Sequence, residues 1–142
     1  MTSSVHVANR AATAAERFGD EFVIIQFETG HYFSLGGLAL PAWEILQVPA
    51  SIEGMAAVLH AAAGDTSPGL APLAAELERL VARFLESGLV LPAETEGTPP
   101  AITPFSYAPA VIETYSDLAD LVSIDPVHDV DAMMGWPRSG AA

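Results

Sequence analysis

The sequence predicts an α+β fold, in which an antiparallel β-hairpin or three-stranded sheet is followed by three helices and an extended C-terminal tail. Apolar and polar residues partly alternate before residue 36, which is typical of strands. After that point apolar residues recur at spacings of three and four, which is typical of helices. Five prolines then interrupt any regular pattern between residues 92 and 110. The 142 residues, 51% of them hydrophobic, are enough for one ordinary domain and a tail.

The strand predictions rest on one weak segment and one hairpin. Residues 5–8 (VHVA) alternate only partly, whereas residues 21–27 (EFVIIQF) are rich in β-branched and aromatic side chains. A short connection containing a glycine follows, and residues 31–35 (HYFSL) form the returning strand. In that strand Phe33 and Leu35 are expected to face the core, with Tyr32 and Ser34 on the other face.

Three helices are predicted between residues 38 and 88. Pro41 suits a first turn, so the first helix is expected to begin near Leu40. Ser51 is placed to cap the second helix. The third helix, residues 70–87, is the strongest prediction, because its apolar residues share one face and Gly88 follows as a C-terminal stop. That face comprises Leu73, Leu77, Leu80, Val81 and Phe84.

The polar face of the third helix carries two arginines one turn apart. Arg79 and Arg83 can therefore reach the same partner. The alternative is a solvated helix face, on which the two arginines pair with Glu76 and Glu86.

Charge and composition exclude several classes of function. The chain has five arginines, no lysine and 18 acidic residues, a formal net charge of −13, which argues against binding to nucleic acid or to an anionic membrane surface. The absence of cysteine excludes disulfides, thiolate metal sites and cysteine nucleophiles. The sequence carries no signal-peptide pattern and no apolar run of membrane-spanning length, so a cytoplasmic protein is expected.

An ordered set of motifs resembles the PqqD-like family, also called RiPP recognition elements, over about residues 5–91. The motifs are ETGHYFSLGG on the strand pair, AWEIL and SIEGMAAVL on the first two helices, and LERLVARFLESGLV at the end of the third. The matching residues are Thr29, Gly30, Tyr32, Leu35, Ala42, Trp43, Leu46, Phe84, Leu85, Gly88 and Leu89. The resemblance implies a small, winged-helix-like domain without catalytic activity.

The resemblance also implies a function and a site. Its members bind the leader of a ribosomally synthesised precursor peptide and present it to a modifying enzyme, such as a radical SAM, ATP-grasp or asparagine-synthetase-like protein. The leader adds a strand beside residues 31–35 and lies against the last helix, which is β-augmentation. Carried over to this sequence, the peptide-binding residues are His31, Tyr32, Phe33, Ser34, Arg79 and Arg83. No cofactor is implied.

The chain divides into a domain at 1–91, a Pro-rich linker at 92–110 and an acidic C-terminal peptide at 111–142, in which Ser116 can cap a short helix. This peptide alternates apolar and acidic residues, so it is more than a solubilising tail. Candidate residues for recognition or modification are Tyr115, Asp117, Asp120, Asp125, His128, Asp129, Asp131 and Trp136.

Three interpretations of the tail remain open. It is a recognition peptide, which docks in the domain's own groove, on a second copy in a homodimer, or on a partner enzyme. It is a substrate, fused to its own recognition domain. Or the acidic cluster with His128 binds a divalent ion, although its spacing is not that of a calcium loop and no metal is assigned.

The sequence contains no set of residues for catalysis. The glycine-rich phosphate loop, the G-x-S-x-G elbow and the H-E-x-x-H zinc motif are all missing. A winged-helix DNA binder is opposed by the acidic charge. A protein–protein adaptor unrelated to peptide modification remains the alternative to a peptide chaperone.

Overall fold

The computed structural model describes residues 4–18 and 21–116. Within them, three helices and seven strands in two antiparallel sheets form an α+β fold, as predicted. The strands are β1 (Val5–Ala8), β2 (Thr13–Phe18), β3 (Glu21–Gln26), β4 (His31–Gly36), β5 (Ala50–Ser51), β6 (Val90–Ala93) and β7 (Val111–Tyr115). The helices are α1 (Ala39–Ile45), α2 (Ile52–Ala63) and α3 (Leu70–Glu86). None of the helices in this part of the chain is both long and apolar enough to cross a membrane.

The larger sheet has the strand order β2-β3-β4-β7. Its centre is the predicted hairpin of β3 and β4, which pairs Ile24 with Phe33 and Phe22 with Leu35. Two of its strands were not predicted: β2, which pairs with β3 along six residues, and β7, which comes from the tail. The hairpin thus has one added strand on each side.

The smaller sheet has the order β5-β1-β6. The weakly predicted strand over residues 5–8 belongs here rather than beside the hairpin, and it pairs with β6 from Val5 opposite Ala93 to Ala8 opposite Val90. β6 lies directly after α3, as expected for the apolar residues that follow Gly88.

The core lies between the large sheet and the helices. All five predicted apolar residues of α3 are buried, and Trp43 of α1 meets Phe84 edge-on with ring centroids 5.8 Å apart. Every buried residue of this core cluster lies between Ala8 and Val90, whereas the tail adds only partly buried side chains to it. The core is therefore supplied by the domain itself.

The predicted helix boundaries are confirmed at two places. The Ser51 hydroxyl accepts a hydrogen bond from the Gly54 amide at 3.0 Å, which is an N-cap. Helix α3 ends one residue before the predicted end, and Gly88 follows with a positive φ of 76°.

The Pro-rich stretch differs from the spacer that the sequence predicted. Its first residues belong to β6, and residues 94–110 contain no helix or strand. Residues 102–110, called the strap below, pack against the core through Ile102, Phe105, Tyr107 and Ala110. Proline correctly indicated an extended backbone, but this backbone lies on the domain and leads directly into β7.

Candidate functional site

The free edge of the hairpin is paired with a segment of the tail. Strand β7 runs antiparallel to β4, with Tyr115 opposite Tyr32, Ile112 opposite Leu35 and Val111 opposite Gly36. Such a ladder is the contact by which an extended peptide adds to a sheet edge. Residues 111–115 therefore occupy, within the same chain, the edge at which the family resemblance implies a leader.

The four predicted site residues on β4 have different surroundings. His31 is exposed at the start of the strand, and Tyr32 is half-buried opposite Tyr115. Phe33 is only 2% exposed and belongs to the core, as the alternation predicted. Ser34 lies on the opposite face but is buried, and its hydroxyl donates to the Glu21 carboxylate at 2.5 Å. The backbone of β4, more than these side chains, is what a paired strand contacts.

Helix α3 supplies the second wall of the site. A cavity of about 300 Å³ lies between α3 and the tail, lined by Glu76, Arg79, Leu80, Arg83, Ala110 and Ile112. Nη2 of Arg83 lies 3.4 Å from the Thr114 hydroxyl of β7, to which it donates. The structure thus places β4 on one side of residues 110–115 and the two predicted arginines on the other. We call the space between β4 and α3, which these residues occupy, the groove.

Glu76 holds the strap where it enters the groove. The Tyr107 hydroxyl donates to Oε1 of Glu76 at 2.5 Å, and the Ala110 amide donates to Oε2 at 2.7 Å. The hydrogen bond to this carboxylate is the main reason that the pKa of Tyr107 is raised above its usual value. This direction is expected for a hydroxyl that donates to a carboxylate, because the bond favours the protonated form.

Gly37 lets the strap backbone approach the end of β4. Its φ is +56°, and a Cβ at this position would lie 2.0 Å from the Pro109 carbonyl oxygen, far inside van der Waals contact. Beside it, the Leu38 amide donates to the Ala108 carbonyl at 2.9 Å. No residue with a side chain fits here while the strap is docked.

The rest of the strap is fixed on α2 and the turn after it. The Phe105 amide donates to the Ala62 carbonyl at 3.2 Å, and the Tyr107 amide donates to the Thr66 hydroxyl at 2.9 Å. The strap is therefore held by hydrogen bonds to α2, to the following turn, to α3 and to the residues after β4.

Tyr115, at the end of β7, lies opposite Tyr32, on the face of the sheet that points away from Phe33 and the core. It is 6% exposed, and its hydroxyl donates to Glu113 at 2.8 Å. Burial, followed by the bond to Glu113, raises the pKa of Tyr115 to about 12. Its burial beside Tyr32 shows that the end of β7 is packed.

Sequence reasoning missed the contacts that position the tail. Glu76 was interpreted only as a solvated partner for arginine, and no contact was predicted for Gly37. The remaining predicted tail residues, Asp117, Asp120, Asp125, His128, Asp129, Asp131 and Trp136, and the short helix after Ser116, lie outside the described residues.

Comparison with models of protein families, with curated protein sequences and with solved structures finds no significant match to this chain. The account of the site therefore rests on its own geometry.

The groove offers groups that can bind an extended peptide. It has the edge of β4, the Glu76 carboxylate and the guanidinium groups of Arg79 and Arg83. Within residues 4–18 and 21–116, no three metal-ligating side chains form a cluster. His60 Nδ1 lies 2.6 Å from the Ser67 hydroxyl, but that oxygen also accepts from the Gly69 amide, so the pair forms part of the turn before α3.

Proposed function

We propose that this protein is a cytoplasmic, non-catalytic chaperone of the PqqD-like type. In this proposal it binds the leader of a ribosomally synthesised precursor peptide as a strand beside β4. It then presents the leader to a modifying enzyme of the radical SAM, ATP-grasp or asparagine-synthetase-like class.

One observation carries the proposal: an extended segment is paired with β4 and lies along α3. Main-chain hydrogen bonds of this kind give affinity for any extended peptide, and side-chain pockets determine register. The edge of β4 is thus able to accept an added strand, which is the property that a leader-binding domain requires.

The occupant belongs to the same chain, and this sets the conditions for binding in trans. A segment that is tethered by a short flexible connection competes with an added peptide at an effective concentration in the millimolar range. A peptide in trans must displace it, or the partner enzyme must draw the tail out. The proposal therefore predicts weak binding to the resting protein and stronger binding once residues 102–115 are released.

The test uses a fluorescent synthetic peptide of residues 101–116 and the full chain carrying Y107A/I112P/E113P, called the released variant. Tyr107→Ala removes the bond to Glu76. Prolines at two adjacent strand positions remove at least one amide that faces β4, because neighbouring amides point to opposite sides. We expect the peptide to bind the released variant at least ten-fold more tightly than the wild type.

Arg83→Glu in the released variant should weaken peptide binding by about five-fold, since an exposed charged contact contributes up to about 1 kcal/mol. Arg10→Glu is the matched control, because Arg10 is also exposed and does not line the groove. Fluorescence anisotropy measures both affinities. Equal affinities of the two variants would exclude Arg83 from the site, and no binding to any variant would favour a protein–protein adaptor.

A second function is favoured by the same pairing. Because residues 111–115 lie in the groove, the residues that follow them would be delivered to the enzyme, so the chain would be a precursor fused to its recognition domain. Intact-mass spectrometry of protein from its native host, with fragmentation of residues 92–142, tests this function. A mass shift localised between Tyr115 and Trp136 supports the fused precursor, and an unmodified tail supports recognition in trans.

A further inference from the structure

We infer that the groove selects peptides with the pattern Phe-x-Tyr-x-x-Ala-x-Ile, and that Glu76 is the residue that distinguishes tyrosine from phenylalanine in them. The inference rests on the proposed function and specifies its ligand class. The pattern is that of residues 105–112, whose contacts display the chemistry of the site.

Glu76 binds the strap through both of its carboxylate oxygens. One accepts the Tyr107 hydroxyl and the other accepts the Ala110 amide, so a single carboxylate binds a side chain and the backbone three residues later. Hydrogen bonds to a charged acceptor are stronger than those between neutral groups. A peptide with phenylalanine in place of tyrosine leaves one oxygen of this half-buried carboxylate without the hydroxyl, and an acidic residue there is repelled.

The backbone also fixes the distance between the tyrosine and the strand. The carbonyls of Ala108 and Pro109 lie against Leu38 and Gly37, and the chain enters β7 at Val111. Both ends of the segment from Tyr107 to Val111 are thus fixed, one by Glu76 and the other by the pairing with β4. A ligand must therefore place its tyrosine four residues before the strand begins.

Packed and exposed side chains occupy different positions along residues 105–112. Phe105, Tyr107, Ala110 and Ile112 pack against the core, while the residues between them are exposed. Within residues 105–112, the exposed positions make no demand on the ligand, whereas the four packed positions define the pattern. Ile102 and Tyr115 are also packed, but they lie outside this stretch. Ile112 also lines the groove, together with Arg79 and Arg83.

The experiment is a double-mutant cycle between protein and peptide. Fluorescent peptides of residues 101–116 with Tyr107 or with Tyr107→Phe are titrated into the full-length released variant with Glu76 or with Glu76→Ala. With Glu76 present, we expect the tyrosine peptide to bind about ten-fold more tightly than the phenylalanine peptide. With Glu76→Ala, we expect the two peptides to bind equally. Glu78→Ala is the control, because Glu78 is exposed on the same helix, and it should leave the ten-fold preference unchanged.

The outcomes separate the two claims. If both peptides bind the Glu76 protein equally, the inference is overturned and the proposed function stands. If neither peptide binds, the proposed function fails and the inference with it.

A second measurement covers the case in which the released variant does not fold. In the otherwise native chain, Y107F should speed hydrogen exchange of the β7 amides by about ten-fold. Y107F should add nothing to the effect of E76A if the two residues act through their bond. Independent effects of the two substitutions would overturn the inference.

Discussion

A disulfide between positions 36 and 111 is expected to lock the tail into the groove. An ideal Cβ at Gly36 would lie 3.6 Å from Cβ of Val111, its register partner, and Cβ atoms of disulfides are about 3.5–4.5 Å apart. The natural chain has no cysteine, so G36C/V111C contains a single pair. Closing a loop of about 75 residues should raise the free energy of unfolding by about 4 kcal/mol in urea, and dithiothreitol should reverse the gain.

The locked protein also tests which chain supplies the strand. A monomer on a non-reducing gel, unable to bind the 101–116 peptide, would show pairing within one chain. A covalent dimer would show that two copies exchange β7, as in the homodimer considered from the sequence. Failure of the bond to form under oxidising conditions would contradict the pairing of β4 with β7.

Gly37→Ala is expected to detach the strap. The new Cβ would clash with the Pro109 carbonyl, and this backbone atom cannot rotate away as a side chain can. Exchange of the amides of Val111–Tyr115, followed by mass spectrometry, should accelerate at least ten-fold, because β7 continues directly from the displaced residues.

Gly30→Ala is the matched control for that substitution. Gly30 also has a positive φ, of 77°, but a Cβ there meets nothing within 4 Å. Both substitutions place an alanine in the left-handed backbone region, which costs about 1–2 kcal/mol of stability. Only the alanine at position 37 also clashes with the Pro109 carbonyl. Equal exchange in the two variants would mean that Gly37 does not position the strap.

The sequence predicted the parts of the fold with strong local patterns. Helix α3 was identified because its apolar residues recur at spacings of three and four. The β3–β4 hairpin was identified because two short runs rich in β-branched and aromatic residues flank a connection that contains a glycine. Strand β2 (TAAERF) was missed because alanine and charged residues have low strand propensity. It forms because each of its six residues pairs with a residue of β3.

The strap was missed for a different reason. Several of its contacts are with backbone atoms, such as the carbonyl of Ala62 and the amide of Leu38, which leave no trace in the residue pattern. The bond between Tyr107 and Glu76 joins positions 31 residues apart. Proline indicated an extended chain, but composition does not distinguish an extended chain in solvent from one docked in a groove.

The central claim is that the edge of β4 accepts an extended peptide. Hydrogen exchange of the released variant with and without the 101–116 peptide tests it most directly. We predict protection of amides in His31–Gly36 and slower opening of α3 when the peptide is bound. Protection at β2, the other outer strand of this sheet, or no protection anywhere on the domain, would contradict the claim.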